Sequence, residues 1–238
     1  MNATDLYRAG RLDEAIEALG AAVRNDPTDA RRRTFLFELL CFAGAFDRAE
    51  KQLDVLAERG RDEQLGALLY RGALHAERTR QAVFEPGGMA PSTAAPAAVG
   101  GTLNGRPFER IEDADPRIGA RVELFAAGQY TWIPLEHIAS VRMEAPKRLR
   151  DLIWAPAVVQ PAESFRALEL GEVLLPALTP GASHHEDANV RLGRVTEWVA
   201  LDDGPEVPVG QKLLLVDGEE FPILEVRELI LNAPAPAA

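Results

Sequence analysis

Four adjacent polar residues, His184-His185-Glu186-Asp187, form the set of side chains with the clearest potential to bind a metal. Imidazole nitrogens and carboxylate oxygens are ligands that zinc accepts. Neighbouring residues of a loop point in different directions, however, and the sequence offers no further ligand pair at a supporting spacing. We therefore expect an exposed polar loop at this position, with no metal and no other cofactor.

Cys41 is the only cysteine, and it lies in an apolar helical pattern without an obvious base beside it. A reactive thiol requires an electropositive and partly exposed setting, so we expect Cys41 to be a buried structural residue. The sequence also lacks the Gly-x-Ser-x-Gly, phosphate-loop, dinucleotide-binding and His-Glu-x-x-His motifs. These observations favour a protein that is not an enzyme.

A second group of candidate residues combines acids, arginines and tryptophans. The acidic turn Asp113-Ala114-Asp115-Pro116-Arg117 precedes a predicted strand, and two Trp-x-Pro motifs contain Trp132 and Trp154 with Arg150 between them. Rigid aromatic residues beside arginines are typical of interaction hot spots, although a small β domain also uses them for its core and ion pairs. An alternative is an enzyme or a small-ligand site, which would need a concave pocket with convergent polar groups and perturbed pKa values.

The elements that must position these residues begin with an internal repeat. Gly10-Arg11-Leu12-Asp13-Glu14-Ala15 aligns with Gly44-Ala45-Phe46-Asp47-Arg48-Ala49 at an offset of 34 residues. This period is typical of the tetratricopeptide helix–turn–helix unit. A third copy would begin near Glu63, but it has Arg78 at the glycine position. The sequence therefore predicts about two repeats and a closing helix within residues 1–84, an arrangement that usually binds peptides or helices.

Helical periodicity predicts three long helices in the second part of this region. The first runs from Thr28-Asp29 to Ala43 and is apolar nearly all round, so both of its sides should be covered. The second spans Phe46 to Glu58, and the third spans Gln64 to Ala82. The residues expected in the core of the third helix are Leu65, Leu68, Leu69 and Leu74.

After residue 84 the chain changes character. Residues 85–101 are rich in proline, alanine and glycine and are predicted to be a linker. Beyond it, strands are predicted at Arg121 to Phe125, Gln129 to Ile133, Ile138 to Met143 and Arg191 to Trp198. Asp217-Gly218-Glu219 between two apolar runs predicts a hairpin, with Pro222 on an edge strand.

These patterns together predict an α+β protein. Tetratricopeptide-like helical hairpins (1–84) would be followed, after the linker, by a mostly antiparallel β domain (102–238), either a small barrel or a bent sheet.

Composition limits the class of partner. The chain has 238 residues, 47% of them hydrophobic, and a net charge of −11, nearly all of which falls after residue 84. Binding to nucleic acid needs a basic surface, so the acidic charge after residue 84 argues against nucleic acid as a partner. No apolar run approaches the roughly 20 residues that a membrane helix needs. With no secretory signal and one cysteine, we expect a cytoplasmic protein that does not bind membranes.

Long motifs in both parts of the chain resemble the ImpE/TagJ family of accessory proteins of bacterial type VI secretion. The motifs are Phe35-Leu36-Phe37-Glu38-Leu39-Leu40-Cys41, Leu103-Asn104-Gly105-Arg106, Asp113-Ala114-Asp115-Pro116-Arg117-Ile118-Gly119, Tyr130-Thr131-Trp132-Ile133-Pro134, Leu149-Arg150-Asp151-Leu152-Ile153-Trp154-Ala155-Pro156 and Leu192-Gly193-Arg194-Val195-Thr196-Glu197-Trp198. The resemblance implies a protein without catalytic activity that binds the N-terminal helix of the small contractile-sheath subunit. It also implies a position beside the ClpV-type ATPase that disassembles contracted sheaths.

We accordingly predict an adaptor that holds a helix of the sheath subunit in an apolar groove with polar edges. The repeat register predicts that the concave face presents Thr34, Glu38, Cys41, Phe42, Leu68 and His75. If the β domain fills this groove instead, the partner would contact the region of Asp113, Asp115, Arg117, Trp132, Arg150 and Trp154. A homo-oligomer is a further alternative.

Overall fold

Five consecutive helices are followed by antiparallel β-sheets in the computed structural model, which describes residues 1–85, 99–165, 170–201 and 204–232. The helices are α1 (Ala3–Arg8), α2 (Leu12–Asn25), α3 (Ala30–Phe42), α4 (Phe46–Ala57) and α5 (Arg61–Phe84). Gly10 and Gly44 occupy the turns after α1 and α3 with φ angles of 74° and 65°. This left-handed conformation favours glycine and explains the glycine of each repeat.

Helix α3 is the central helix of the array, as its all-round apolar pattern predicts. Asp29 caps it by accepting a hydrogen bond from the Arg32 N–H at 3.0 Å. Seven consecutive residues, 36–42, are buried between α2 and α4, and Cys41 is among them. Burial raises the pKa of the Cys41 thiol well above its ordinary value, so it is an unreactive structural residue.

Helix α5 is longer than predicted, and its leucines are not placed as predicted. Leu74 is fully buried, but Leu65, Leu68 and Leu69 are 60%, 66% and 53% exposed. The prediction of a leucine core along the whole helix is therefore wrong. It failed because α5 packs on α4 through small residues such as Ala67, and because α5 is the last helix of the array.

The described residues of the β part form one large sheet and two small ones. Its strands are β1 (Gly101–Leu103), β2 (Arg106–Phe108), β3 (Ile111–Asp113), β4 (Arg121–Ala126), β5 (Gln129–Pro134), β6 (Ile138–Met143), β7 (Trp154–Pro161), β8 (Glu172–Pro176), β9 (Glu197–Ala200), β10 (Glu206–Val209), β11 (Leu213–Val216), β12 (Glu219–Pro222) and β13 (Glu228–Leu231). The large sheet has the order β2-β1-β13-β6-β7-β8-β4-β5, and the small sheets are β12-β11-β3 and β10-β9. Every strand pair is antiparallel, which confirms the predicted α+β class.

Most predicted strands are confirmed. Strands β4, β5 and β6 lie at the predicted positions, and β11 and β12 form the predicted hairpin. Its turn contains Asp217 and Gly218 with φ angles of 52° and 87°, as an Asp-Gly hairpin turn requires. Strand β12, which ends at Pro222, is an edge of its sheet.

The strand predicted from Arg191 to Trp198 is wrong over most of its length. A short helix, α6 (Ala188–Arg191), precedes a turn at Gly193, and only the last two predicted residues belong to β9. Asp187 starts this helix by accepting a hydrogen bond from the Asn189 N–H at 2.7 Å. The capped helix α6 and the turn after it therefore form where the alternating apolar pattern predicts a strand.

Most of the predicted linker, residues 86–98, lies outside the described residues. Gly101, the last residue of the predicted linker, begins β1, and a Cβ added there would lie 2.0 Å from the Ile230 carbonyl oxygen. Glycine at this position thus permits the close pairing of β1 with β13.

One hydrophobic core joins the helices to the β part. It contains most buried residues of α1–α5 together with Phe125, Ile153, Trp154 and Leu178 from the β part. A second core lies within the β part alone. The helical array and the sheet are consequently packed against each other as one body. Over the described ranges, no helix is long and apolar enough to cross a membrane.

Candidate functional site

An open groove with a volume of about 530 Å³ lies where α1, α3 and a segment of the β part meet. Helix α1 contributes Tyr7 and Arg8, and the β part contributes Leu149, the first residue of a short 3-10 turn. Helix α3 contributes Arg31, Thr34, Phe35 and Glu38 to its other wall. Because α1 and α3 are the first helices of successive repeats, this groove lies on the concave side of the array.

The floor of the groove is aromatic and is held in place by the β part. The rings of Tyr7 and Phe35 meet edge to face with centroids 5.8 Å apart. Arg194 lies over the Tyr7 ring at 4.8 Å and donates hydrogen bonds to the Tyr7 and Arg8 carbonyl oxygens at 2.7 and 3.1 Å. These contacts fix the short helix α1, which has too few residues to be stable by itself.

The β part closes one end of the groove. Arg150 donates a hydrogen bond to Glu38 at 3.3 Å and lies over the Tyr70 ring at 4.8 Å. Tyr70 in turn stacks on Trp154, with ring centroids 6.2 Å apart. Burial raises the pKa of the Glu38 carboxyl group even though Arg150 opposes this shift. The concave face beyond Glu38 is thus occupied by the protein itself, and the open part lies towards α1.

The structure separates the six groove residues predicted from the repeat register, and it buries Cys41 in the core. Thr34 is half-buried in the groove, and Glu38 lies at its closed end. Phe42 is fully buried in the core, behind the groove surface. Leu68 and His75 are exposed on α5 and do not line the groove.

Sequence reasoning missed Tyr7, Arg8, Arg31 and Phe35, which complete the groove. A usable signal was present, because the 34-residue offset aligns Thr4 of the first copy with Glu38 of the second, and both residues line the groove. That alignment identifies α1 as a groove-lining helix in spite of its short length.

The acidic turn and the tryptophans of the β part are used in packing and ion pairs. Asp115 is fully buried and accepts a hydrogen bond from the Arg117 side chain at 2.6 Å. Arg117 lies over the Phe84 ring at 4.8 Å, and Trp132 stacks on the same ring at 5.8 Å. The last turn of α5 therefore packs against the sheet through Phe84.

A buried ionic network joins α5 to the sheet at a second place. The Arg80 side chain donates to Glu123 at 2.8 and 3.0 Å and to Glu77 at 3.2 Å. Lys212 contacts both Glu123 and Asp113. Trp154, fully buried, donates its Nε1–H to Glu77 at 3.2 Å. Each cation of the network faces at least one carboxylate, as buried charges require.

The pKa values in this network follow from its charges. Burial raises the pKa of Asp113 to about 6, although Lys212 acts in the opposite direction. Burial would also raise the pKa of Glu123, but Arg80 and Lys212 together lower it below its ordinary value. The cavity that Asp113 lines has a volume of only about 30 Å³, enough for a water molecule but not for a substrate. Asp113, Asp115 and Arg150 therefore do not converge on an open pocket.

The histidine loop makes local contacts. The His185 Nδ1 accepts a hydrogen bond from the Asp187 N–H at 3.1 Å, and its Nε2 lies 3.6 Å from Glu197. In the ranges that the structure describes, no group of three or more His, Cys, Asp or Glu side chains could hold a metal ion.

Comparison with known proteins identifies the family. The ImpE protein family matches residues 105–230, and a tetratricopeptide repeat family matches residues 6–71. The type VI secretion system accessory component TagJ of Pseudomonas aeruginosa is 36% identical over 263 residues, an alignment that covers 96% of this chain and 90% of TagJ. The chain belongs to the ImpE family. The resemblance inferred from the sequence motifs is thus confirmed.

A solved structure shares the fold of this ImpE protein. The crystal structure of protein VPA1032 from Vibrio parahaemolyticus matches it with a TM-score of 0.84 and 24% sequence identity, over 97% of each chain. In this protein, the groove lies between the two matched regions. Tyr7 and Phe35 belong to the repeat region, and Leu149 belongs to the ImpE-specific region.

Proposed function

We propose that this ImpE protein is a non-enzymatic accessory component of type VI secretion, an adaptor that binds a helix of the small contractile-sheath subunit in the α1–α3 groove. By holding that helix, it would modulate the disassembly of contracted sheaths by the ClpV-type ATPase. The similarity to the accessory component TagJ supports a role in type VI secretion. The single observation that supports the mechanism is the open groove beside Phe35.

The groove has the properties that helix recognition requires. Its floor is formed by Tyr7, Phe35 and Leu149, which can accept the apolar stripe of an amphipathic helix. Polar groups at its edges, among them Arg31 and Thr34, can pair with the flanks of that helix. The core contacts of α1 and α3 and the hydrogen bonds from Arg194 to α1 fix the groove walls before binding, so little ordering is needed when the partner docks.

Calorimetric titration with a peptide covering the N-terminal helix of the cognate small sheath subunit tests the proposal. We expect saturable binding to the full-length protein that Phe35→Ser weakens by about tenfold or more. Leu68→Ser is the matched control, since it removes an exposed apolar side chain that does not line the groove. Thermal unfolding of both variants verifies that the fold is retained.

Each alternative outcome has a defined meaning. Binding that is weakened by Leu68→Ser and not by Phe35→Ser would keep the adaptor role and move its site to α5. Binding lost on changing Trp132 would move the site to the β part. No binding at high peptide concentration would reject the proposed mechanism. Sheath disassembly by the ATPase, followed with and without this protein, tests the second half of the proposal.

A further inference from the structure

The open groove carries positive charge although the protein as a whole has a net charge of −11. Arg8 on the α1 wall and Arg31 on the α3 wall are both exposed. Within the described ranges, neither guanidinium group has an ion-pair partner. Arg148, beside the wall residue Leu149, is also exposed, and its charge is among those that oppose the rise in the pKa of Glu38 that burial causes.

The acidic side chains around the groove do not neutralise these arginines. Glu38 is the one carboxylate among its described lining residues, and Arg150 already pairs with it. Asp29, two positions before Arg31, is paired with Arg32 at 3.1 Å. Arg194 adds a further guanidinium over Tyr7, where it donates hydrogen bonds to backbone carbonyl oxygens and, among the described residues, pairs with no carboxylate. An apolar floor is therefore bordered by unneutralised positive charge on both long sides.

We infer that the groove selects an amphipathic helix with acidic residues on both sides of its apolar stripe. This inference rests on the proposed function and specifies the chemistry of the bound helix. The stripe would cover Phe35 and Leu149, while flanking glutamates or aspartates would pair with Arg8 on one side and Arg31 on the other. Arginine suits this role because its planar guanidinium group can bind a carboxylate through two hydrogen bonds.

Charge selection here is local. The surface charge elsewhere is predominantly acidic, so at a distance it attracts basic partners, but this attraction is screened beyond about 8 Å at physiological salt. A basic helix that reached the groove would place its cations against Arg8 and Arg31. Discrimination between acidic and basic helices is thus set by the groove edges, where like charges repel.

The floor does not suit single-stranded nucleic acid, the other class of acidic partner. Such binding relies on exposed ring faces on which bases stack. One face of Tyr7 is covered by Arg194, and its ring meets Phe35 edge to face. An amphipathic helix needs only the apolar surface that these rings offer.

Three synthetic helical peptides test the inference with the full-length protein. They share one leucine stripe and differ only in flanking residues, which are all glutamate, all glutamine or all lysine. Fluorescence anisotropy at low salt should show the glutamate peptide binding at least about tenfold more tightly than the glutamine peptide. The lysine peptide should bind most weakly, and physiological salt should reduce the difference.

A double charge reversal identifies the responsible residues. Arg8→Glu with Arg31→Glu should abolish the preference for glutamate and favour the lysine peptide. Arg24→Glu with Arg61→Glu is the matched control, because it changes net charge equally at exposed arginines outside the groove. Equal binding of the glutamate and glutamine peptides, equal effects of the two double variants, or no binding of any peptide would overturn the inference. Tighter binding of a uridine oligomer would also overturn it.

The two proposals can fail separately. If the sheath-subunit peptide binds while the synthetic series shows no charge preference, the inference about acidic helices is wrong and the proposed function remains. If the glutamate peptide is preferred while the sheath-subunit peptide does not bind, the groove recognises an acidic helix of another protein and the proposed function is wrong.

Discussion

Arg80 in α5 forms two hydrogen bonds with Glu123 in β4, at 2.8 and 3.0 Å, and both side chains are almost completely buried. The pair crosses from the helical array to the sheet and is extended by Lys212 on one side and Glu77 on the other. A buried pair of this kind need not stabilise a protein more than apolar packing would, but breaking it is costly because a charge remains without a partner.

We expect Glu123→Gln to lower the free energy of unfolding by about 3–5 kcal/mol, since Arg80 and Lys212 would lose their shared carboxylate. The control is Arg78→Ala on the same helix, which breaks partly exposed ion pairs with Asp47 and Glu50 and should cost about 1 kcal/mol or less. Urea denaturation of both variants measures the difference. Similar losses in the two variants would show that the buried network has no special role in stability.

The same network should make stability depend on pH through Asp113. Burial raises its folded-state pKa to about 6, so the folded protein holds this proton more tightly than the unfolded chain, whose carboxyl group titrates near 3.8. The contribution of Asp113 to stability is therefore fully present below about pH 4 and is lost as the pH rises through about 6.

Asp113→Asn, which cannot ionise, should abolish this dependence. Relative to the variant, the wild-type protein should lose on the order of 2 kcal/mol of unfolding free energy between pH 4 and pH 7. Urea denaturation at a series of pH values measures the two curves. If the unfolding free energies of the two proteins changed in parallel with pH, Asp113 would not be the group responsible for the pH dependence.

Two glycines of α5 should respond oppositely to alanine substitution. A Cβ at Gly66 would meet no atom within 4 Å, so Gly66→Ala should stabilise the protein by about 0.5–1 kcal/mol through helix propensity. A Cβ at Gly72 would lie 3.1 Å from the Gly128 Cα in the β4–β5 turn. Backbone is hard to displace, and Gly128 has a φ of 77° that favours glycine. Thermal unfolding should therefore show no gain, or a loss, for Gly72→Ala.

Phe42 and Phe35 lie on the same helix, and alanine substitutions at the two positions should distinguish a residue needed for stability from one that is available for binding. Phe42 is completely buried, so Phe42→Ala should cost about 3–5 kcal/mol of unfolding free energy. Phe35 is half-buried at the groove, and Phe35→Ala should cost less than half as much. Denaturation curves of the two variants measure the two losses of unfolding free energy. A larger loss at Phe35 would mean that its ring is a core residue and is not available to a partner.

The sequence was most informative where a local rule decides the structure. The 34-residue period located the helical hairpins, and the glycines at their turns adopt the left-handed conformation that this interpretation requires. The Asp-Gly hairpin and the strands on either side of Gly128 were equally clear. In the helix turns and the hairpins the deciding residues are within a few positions of one another, and the repeat needs only the comparison of one such local pattern with its copy.

Prediction failed where distant segments meet. Arg80 and Glu123 are 43 residues apart, and Lys212 and Asp113 are 99 residues apart, so no spacing rule could pair them. The leucines of α5 were assigned to the core because periodicity shows that a face is apolar but not whether another element covers it. Closure of one end of the groove by Arg150 likewise depends on how the sheet packs against the helices.

The position of β13 has a consequence for the time at which the protein can fold. This strand is the last that the structure describes, yet it lies between β1 and β6 near the middle of the large sheet. Helices α1–α5 contact mainly their neighbours in sequence and can assemble while synthesis is still in progress. The sheet cannot be completed until residues 228–231 have left the ribosome. A nascent chain that stops before them would carry the helical hairpins beside two unjoined sheet fragments, whose open edges favour aggregation.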